Sequence, residues 1–286
     1  HILLKFLSLD IHEYSLFFKQ YLYKKIYLMI KEKMEKNYTK KQKIFTIFLF
    51  VVFFTTGCLT IGDYGISVDE EFQRASGFYW LSYILSLTPF DGLNNHVNEL
   101  LNTPRGYTVP KVETNLPYGV IFDLPMAFIE SLFKIDDTKN YYYLRHFFNF
   151  SLFFISSVYF YKILKSRFIN YQVSLIGTLF YILSPRIYGN SFYNNKDIVF
   201  LSILVIAIYY CLKLLENKNL KNILLFTLFA GLCTATRVVG VFLIFSFVVF
   251  YLITLSDEKN KLKSIKTLLF CIVLYFIFTI IFWPYL

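Results

Sequence analysis

The sequence predicts an all-α, polytopic membrane protein with about seven transmembrane helices, on three observations. The first is composition: of 286 residues, 56% are hydrophobic and 21% aromatic, gathered in runs too long and too apolar for a water-soluble core. The second is run length, since several runs approach the roughly 20 residues that a helix needs to cross a bilayer. The third is charge placement. The net charge of +10 comes largely from lysines in short segments between apolar runs, and alternate connections are basic, as the positive-inside rule requires. Topology and contact with anionic headgroups account for this charge, so no nucleic-acid partner is called for. Cys58, Cys211, Cys233 and Cys271 lie in apolar runs without metal-ligand spacing and read as packing residues, with neither a disulfide framework nor a zinc site.

The first span is Ile44–Ile61, about 18 residues or roughly 27 Å of helix. Lys31, Lys33, Lys36, Lys40, Lys41 and Lys43 precede it and place the N-terminus in the cytoplasm. Thr55-Thr56-Gly57-Cys58 resembles a lipoprotein cleavage box, but Thr stands where such a box has Leu and many spans follow, so an uncleaved anchor is expected. Residues 62–144 then form a long outer segment. It holds two apolar stretches read as interfacial helices, Phe72–Leu87 and Val120–Phe133, the second with a re-entrant segment as the alternative. Asn94–Pro117 between them is read as loop, broken by Pro104, Gly106, Pro110 and Pro117. A second span runs from Arg145-His146 to Lys162, a third over Val173–Ser184, and a fourth over Ile198–Leu215. Pro185 to Asp197 is an outer loop. The run Asn222–Leu255 carries a single charge, Arg237. As one helix it would extend about 51 Å, so it is expected to fold as a hairpin turning near Thr234–Gly240. A seventh span starts near Thr267. Residues 1–43 read as a basic cytoplasmic segment and 44–286 as a transmembrane module. The opening at His1, with Met29 or Met34 as natural starts, and the stop at Leu286 as a span surfaces suggest a piece of a longer protein.

This topology collects Asp69, Glu70, Glu71, Arg74, Lys111, Glu113, Asp123, Arg145, His146, Arg186, Lys196, Asp197 and Arg237 on one face of the membrane. The densest point is Val68-Asp69-Glu70-Glu71-Phe72, three carboxylates just past a greasy helix, where charge is costly to place. A carboxylate beside converging cations suits transfer of a group from a lipid phosphate to a hydroxyl. The carboxylate takes the hydroxyl proton, and the cations stabilise charge growing on the phosphate. Structural roles compete at each position. Cations at span ends serve as interfacial anchors, Asp197 can cap the fourth span and Asp69 the first interfacial helix, Glu71 and Arg74 can pair in solvent, and His146 suits a headgroup contact.

The order of these residues resembles the GT-C-fold membrane glycosyltransferases, specifically those similar to family 39, the dolichyl-phosphate-mannose protein mannosyltransferases and their bacterial relatives. Val68-Asp69-Glu70-Glu71-Phe72 is similar to the Asp-Glu opening of that family's first outer loop. Tyr143-Leu144-Arg145-His146-Phe147-Phe148-Asn149 fits its Arg at the start of the second span. Arg186 through Asp197 fits its later acidic loop, and Gly231-Leu232-Cys233-Thr234-Ala235-Thr236-Arg237-Val238-Val239-Gly240 looks like its small-residue Thr-Arg turn. The resemblance covers residues 40–286. It implies an inverting enzyme that moves a sugar from a polyprenyl-phosphate donor to a lipid, glycan or protein hydroxyl, at the periplasmic side of a bacterial inner membrane. Asp69 is then the catalytic base and Glu70 its neighbour in handling the acceptor or a metal. Arg145 and Arg237 hold the lipid phosphate, Asp197 is a second acidic site residue, and Lys196, Arg186 and Arg74 complete the donor site. Relatives differ in cofactor: many need none and some use a divalent metal ion, which Asp69 and Glu70 would hold. Two other classes fit the composition. A transporter or flippase would place ionisable groups within spans or on broken helices, and a non-catalytic assembly protein would tolerate Asn at position 69.

Overall fold

The computed structural model describes residues 39–102, 119–168, 170–255 and 260–283. Among these residues the chain is helical without strands, as a bilayer-spanning chain must be to satisfy its own backbone. Helix α1 is Lys40–Thr60. After a short 3₁₀ turn at Ile61–Asp63 come α2 (Val68–Ser86), α3 (Asp91–Asn102), α4 (Asp123–Phe133), α5 (Thr138–Arg167), α6 (Tyr171–Ile182), α7 (Pro185–Tyr193), α8 (Asp197–Glu216), α9 (Leu220–Thr236), α10 (Val241–Leu255) and α11 (Lys261–Phe282), with a second 3₁₀ turn at Val238–Gly240.

Five helical stretches are long and apolar enough to cross a membrane: Lys40–Asp63, Thr138–Arg167, Asp197–Glu216, Val238–Leu255 and Lys261–Phe282. The protein is therefore a multi-pass membrane protein. Two shorter apolar helices, α6 and α9, stand where the third and fifth of the expected spans were placed. At 12 residues, α6 is only about 18 Å long and cannot cross alone. The expected hairpin is present, with α9 and α10 joined through Arg237 in extended conformation (φ −148°, ψ 132°). Gly240 permits this tight return, because a Cβ there would fall 2.5 Å from the Thr234 nitrogen.

Local signals explain the boundaries. α1 begins at a reciprocal capping box between Thr39 and Gln42, which satisfies two of the free N–H groups at the helix start. Gly57 lets it lie on the Phe150 ring of α5, with Phe53 and Phe54 packed on Phe150, Phe153 and Phe154. α5 is capped by Asp137 and ends on Lys165 and Arg167, which favour the negative end of the helix dipole. It begins at Thr138 rather than Arg145, so its first two turns project past the expected span and carry Arg145 and His146 into the helices above. α8 packs on both α5 and α9, and α9 on α11, where Gly231 allows close approach to Phe278 and Thr279.

The outer segment is more ordered than its turn residues suggested. α2 starts at Val68 rather than Phe72, and α4 at Asp123 rather than Val120. Asn94–Asn102, expected as loop, belongs to α3. Leu93, Val97 and Leu101 recur at a four-residue spacing along it and pack on Phe78, Leu81, Leu85, Leu124 and Ala127 of α2 and α4. The expected loop after the third span contains α7, with Pro185 in its first turn, a position where the missing N–H costs nothing. Residues 1–38, Lys111, Glu113 and the breakers Pro104, Gly106, Pro110 and Pro117 lie outside the described residues.

Contacts settle which helix ends meet. At one end Thr46 reaches Tyr171, and Lys218 reaches Ser264. The basic residues flanking α1, α5, α8, α9 and α11 collect there. At the other end Tyr64 stacks on Phe192 (centroids 4.1 Å apart), Glu70 meets His146, and Asp123 meets Asn195. The acidic cluster and its cations share this second end.

Candidate functional site

The site is built where α2 and α4 lie across the ends of α5, α8 and α9. α2 and α4 cross closely, and Gly77 makes this possible, since a Cβ there would fall 2.4 Å from the Asp123 carbonyl oxygen. Ser67 and Glu70 form the capping box that starts α2. Glu70 is buried, with Oε2 accepting from the Ser67 N–H at 2.7 Å and Oε1 hydrogen-bonded to His146 Nε2 at 2.9 Å. Glu70 thus pins the first turn of α2 to α5. Asp69, its neighbour, is exposed. Because Ser67 and Glu70 do the capping, Asp69 is not needed for it, and it forms no hydrogen bond or ion pair among the described residues.

Beneath the surface lies a buried ionic knot. Arg145 on α5 is 2% exposed; its Nε donates to Glu130 Oε1 and its Nη1 donates to Asp123 Oδ1 at 2.9 Å. Glu130 accepts from Arg74 Nε through its other oxygen at 2.8 Å. The Arg74 guanidinium lies over the Tyr141 ring, 3.7 Å from its centroid. Asp123 also accepts from Asn195 Nδ2 at 2.8 Å. Burial raises the Asp123 carboxyl above its usual range, with the Arg145 charge and hydrogen bond opposing. Arg145 and Arg74, expected to contact a donor, are both committed to carboxylates. Arg74 pairs with Glu130 rather than Glu71, and His146 is enclosed on Glu70 instead of facing headgroups.

A second charged group lies at the surface. Arg237 forms an ion pair with Asp197. Asn194 caps α8 by accepting from the Asp197 N–H at 2.9 Å, which leaves the Asp197 carboxylate for Arg237 and for Asn194 Nδ2. Lys196 is the hub. Burial, and then the Arg237 charge, lower its pKa from the ordinary lysine value, while Asp123, Asp197 and Asp69 pull it back up. Those three carboxylates and Arg237 are therefore all within electrostatic reach of one ammonium. Arg186, on α7, is exposed and is not joined to this group by any hydrogen bond or ion pair among the described residues.

Lys196 also lines a small pocket of mixed polarity, about 20 Å³ in volume, between α2, the Gly119–Asp123 segment and the start of α8. Gly119, Val120 and Ile121 form a wall that this pocket shares with a larger, mostly apolar groove of about 290 Å³. Trp80, Tyr83, Leu232, Ile281 and Trp283 line the groove. The wall sits tight on α9, since a Cβ on Gly119 would overlap the Ala235 carbonyl oxygen. The Asp69–Glu70 pair does not fit a metal centre in this arrangement. Both Glu70 oxygens are engaged by Ser67 and His146, and among the described residues no three His, Cys, Asp or Glu side chains are grouped to hold an ion.

Sequence reasoning missed Glu130 and Asn195 as partners and underused Asp123. A signal was present. Asp123 and Glu130 stand seven residues apart in an apolar stretch, two turns along one helix face, and buried carboxylates in such a stretch call for a buried cation.

A family model described as dolichyl-phosphate-mannose-protein mannosyltransferase matches residues 142–284. The match takes in Arg145, Arg186, Lys196, Asp197 and Arg237, while Asp69, Glu70, Arg74 and Asp123 precede it. Neither a curated protein nor a solved structure matches the chain.

Proposed function

The chain belongs to the dolichyl-phosphate-mannose-protein mannosyltransferase family and is a membrane glycosyltransferase of the GT-C type; from that premise we propose that it transfers a sugar from a polyprenyl-phosphate donor to a hydroxyl acceptor with inversion, on the periplasmic side of a bacterial inner membrane. The observation that carries this proposal is the adjacency of an apolar groove, walled by Gly119–Ile121, to the charged mouth of Lys196, Arg237, Asp197 and Asp69. A prenyl tail suits the groove, where remote apolar contact positions the reacting centre. Lys196 and Arg237 are the cations assigned to the phosphate, while Arg145 and Arg74, each paired with a carboxylate, serve the scaffold.

Asp69 takes the proton of the acceptor hydroxyl as that oxygen bonds to the anomeric carbon. The bond from the anomeric carbon to the phosphate oxygen breaks, its electron pair stays on the phosphate, and Lys196 and Arg237 stabilise the added charge. Glu70 holds the turn that presents Asp69. Residues 44–286 supply the catalytic module, and the basic segment before it lies on the cytoplasmic side.

The experiment is donor consumption and sugar transfer from labelled polyprenyl-phosphate sugars in membranes containing the protein, wild type against Asp69→Asn. Consumption that disappears in the variant at equal membrane abundance supports the assignment; near-normal turnover by Asp69→Asn would sink it.

A further inference from the structure

His146 lies beneath the site, 1% exposed, and takes no part in the proposed reaction. A buried imidazole carries a desolvation cost that an apolar ring of its size would avoid. The cost is higher here because Nδ1 is shielded from solvent without a hydrogen-bond partner. Among the described residues its one polar contact runs from Nε2 to Glu70 Oε1, at 2.9 Å. A carboxylate only accepts, so the ring making this contact carries its proton on Nε2. The Tyr142 ring, with its centroid 6.3 Å away, packs beside the imidazole. Space-filling alone does not account for a histidine at this position; its bond to Glu70 does.

What that bond controls follows from burial along the chain. From Gly62 to Ala75, Glu70 is the only buried residue. One of its oxygens accepts from the Ser67 N–H and closes the start of α2, and the other faces His146. The first turn of α2 is therefore held to the bundle at this one side chain. Successive helical residues point about 100° apart. With Glu70 drawn inward onto α5, Val68 and Asp69 are turned outward, and both are exposed. The Glu70–His146 bond thus sets the rotation of α2 about its own axis, and with it the direction in which Asp69 points. The same spacing operates on α5. Arg145 turns to Glu130 and Asp123 of α4, and His146 turns to Glu70 of α2, so two consecutive residues grip the two interfacial helices separately.

Resting on the role proposed for Asp69, we infer that His146 is a positioning residue for proton removal: acting through Glu70, it fixes the place from which Asp69 reaches the acceptor hydroxyl. His146 itself touches neither substrate. A general base works only within hydrogen-bond reach of the proton it takes, and a displacement of about 1 Å can cost about 10²-fold in rate. Lys196 and Arg237, assigned to the donor phosphate, stand on α8 and after α9, and their placement does not pass through this bond. Loss of His146 should therefore act on turnover and spare donor binding.

The test is the initial rate of consumption of a labelled polyprenyl-phosphate sugar over donor concentration, in membranes containing the full-length chain and normalised to folded protein. The variants are His146→Phe, His146→Gln, Glu70→Ala and the His146→Phe/Glu70→Ala double variant, with Asp69→Asn alongside. His146→Phe is expected to lower kcat by about tenfold to a hundredfold with the donor KM within about twofold of wild type. His146→Gln, whose amide N–H can still meet the carboxylate, should recover most of that loss. The double variant should be no slower than the slower single variant, because both changes break one bond. If His146→Phe does not accumulate, His146→Asn, with an amide too short to reach Glu70, replaces it throughout. A His146→Phe kcat at the wild-type level, a parallel loss of donor affinity, a Gln variant as slow as Phe, or losses that multiply in the double variant would each overturn the positioning role while Asp69→Asn remains inactive. Near-normal turnover by Asp69→Asn overturns the assignment of the base, and the positioning role with it.

Discussion

Two sets of charges share one end of this bundle and follow opposite rules. The inner set, Arg74, Glu130, Arg145 and Asp123, is buried or nearly so and paired: each guanidinium meets a carboxylate, and Glu130 uses both its oxygens. The outer set, Asp69, Lys196, Asp197 and Arg237, is exposed or half-buried and loosely tied, with Asp69 bearing no partner among the described residues. Removing one member of a buried pair strands a charge out of water, whereas an exposed pair contributes little to folding. The inner set thus belongs to the fold, which holds α2 and α4 on α5 through it. The outer set lies nearer the surface, and on the function proposed above it is the set that carries the chemistry.

Substitutions in the two sets should have opposite effects. The largest effect is expected at Asp69. Asp69→Asn should lower transfer by about 10²–10⁴-fold, the contribution of a positioned general base, with the thermal unfolding midpoint in detergent unchanged. A comparable fall in unfolding temperature would move Asp69 into the structural set.

Glu130→Ala should do the reverse. It leaves Arg74 and Arg145 without their shared carboxylate and is expected to destabilise by about 3–5 kcal/mol, read as a lower unfolding temperature and reduced membrane abundance. A Glu130→Ala protein as stable as wild type would show that the knot is not what holds the interfacial helices.

A smaller change is expected at Arg237, whose side chain is 40% exposed. Arg237→Gln should raise KM for the donor by about tenfold, the equivalent of ~1.4 kcal/mol, while stability changes by less than ~1 kcal/mol. Steady-state kinetics over donor concentration separates this from a loss in kcat.

The mildest effect is a shift in pH profile at Lys196. Burial and Arg237 hold its pKa below that of an ordinary lysine, so its charge is complete at low pH and is lost sooner as pH rises. Donor affinity should weaken correspondingly on the alkaline side. Lys196→Arg keeps the charge at all accessible pH and should move the alkaline limb of kcat/KM upward; an unmoved limb would assign that limb to another group.

The sequence alone determined the solvent in which this protein works. Apolar run length and lysine placement yield the spans, the hairpin through Arg237 and the end of the bundle where charge collects, because a bilayer imposes length and polarity residue by residue. The acidic cluster at Asp69 stood out for a similar reason, since three carboxylates beside a span have few structural uses, and the structure puts it at the same end as the cations. α3 was hidden by the turn residues that follow it, although Leu93, Val97 and Leu101 carried its period. Tertiary structure alone decided which charges are spent and which are free. Arg145 and Arg237 look alike in sequence, each a cation at the end of an apolar run, yet one is enclosed between Glu130 and Asp123 and the other stands beside Asp197 at the surface. That difference rests on pairings between residues far apart in the chain and on the Gly77 crossing that sets Asp123 against α2. Local sequence records the cost of burying a polar group, but only the packed chain determines which group bears it.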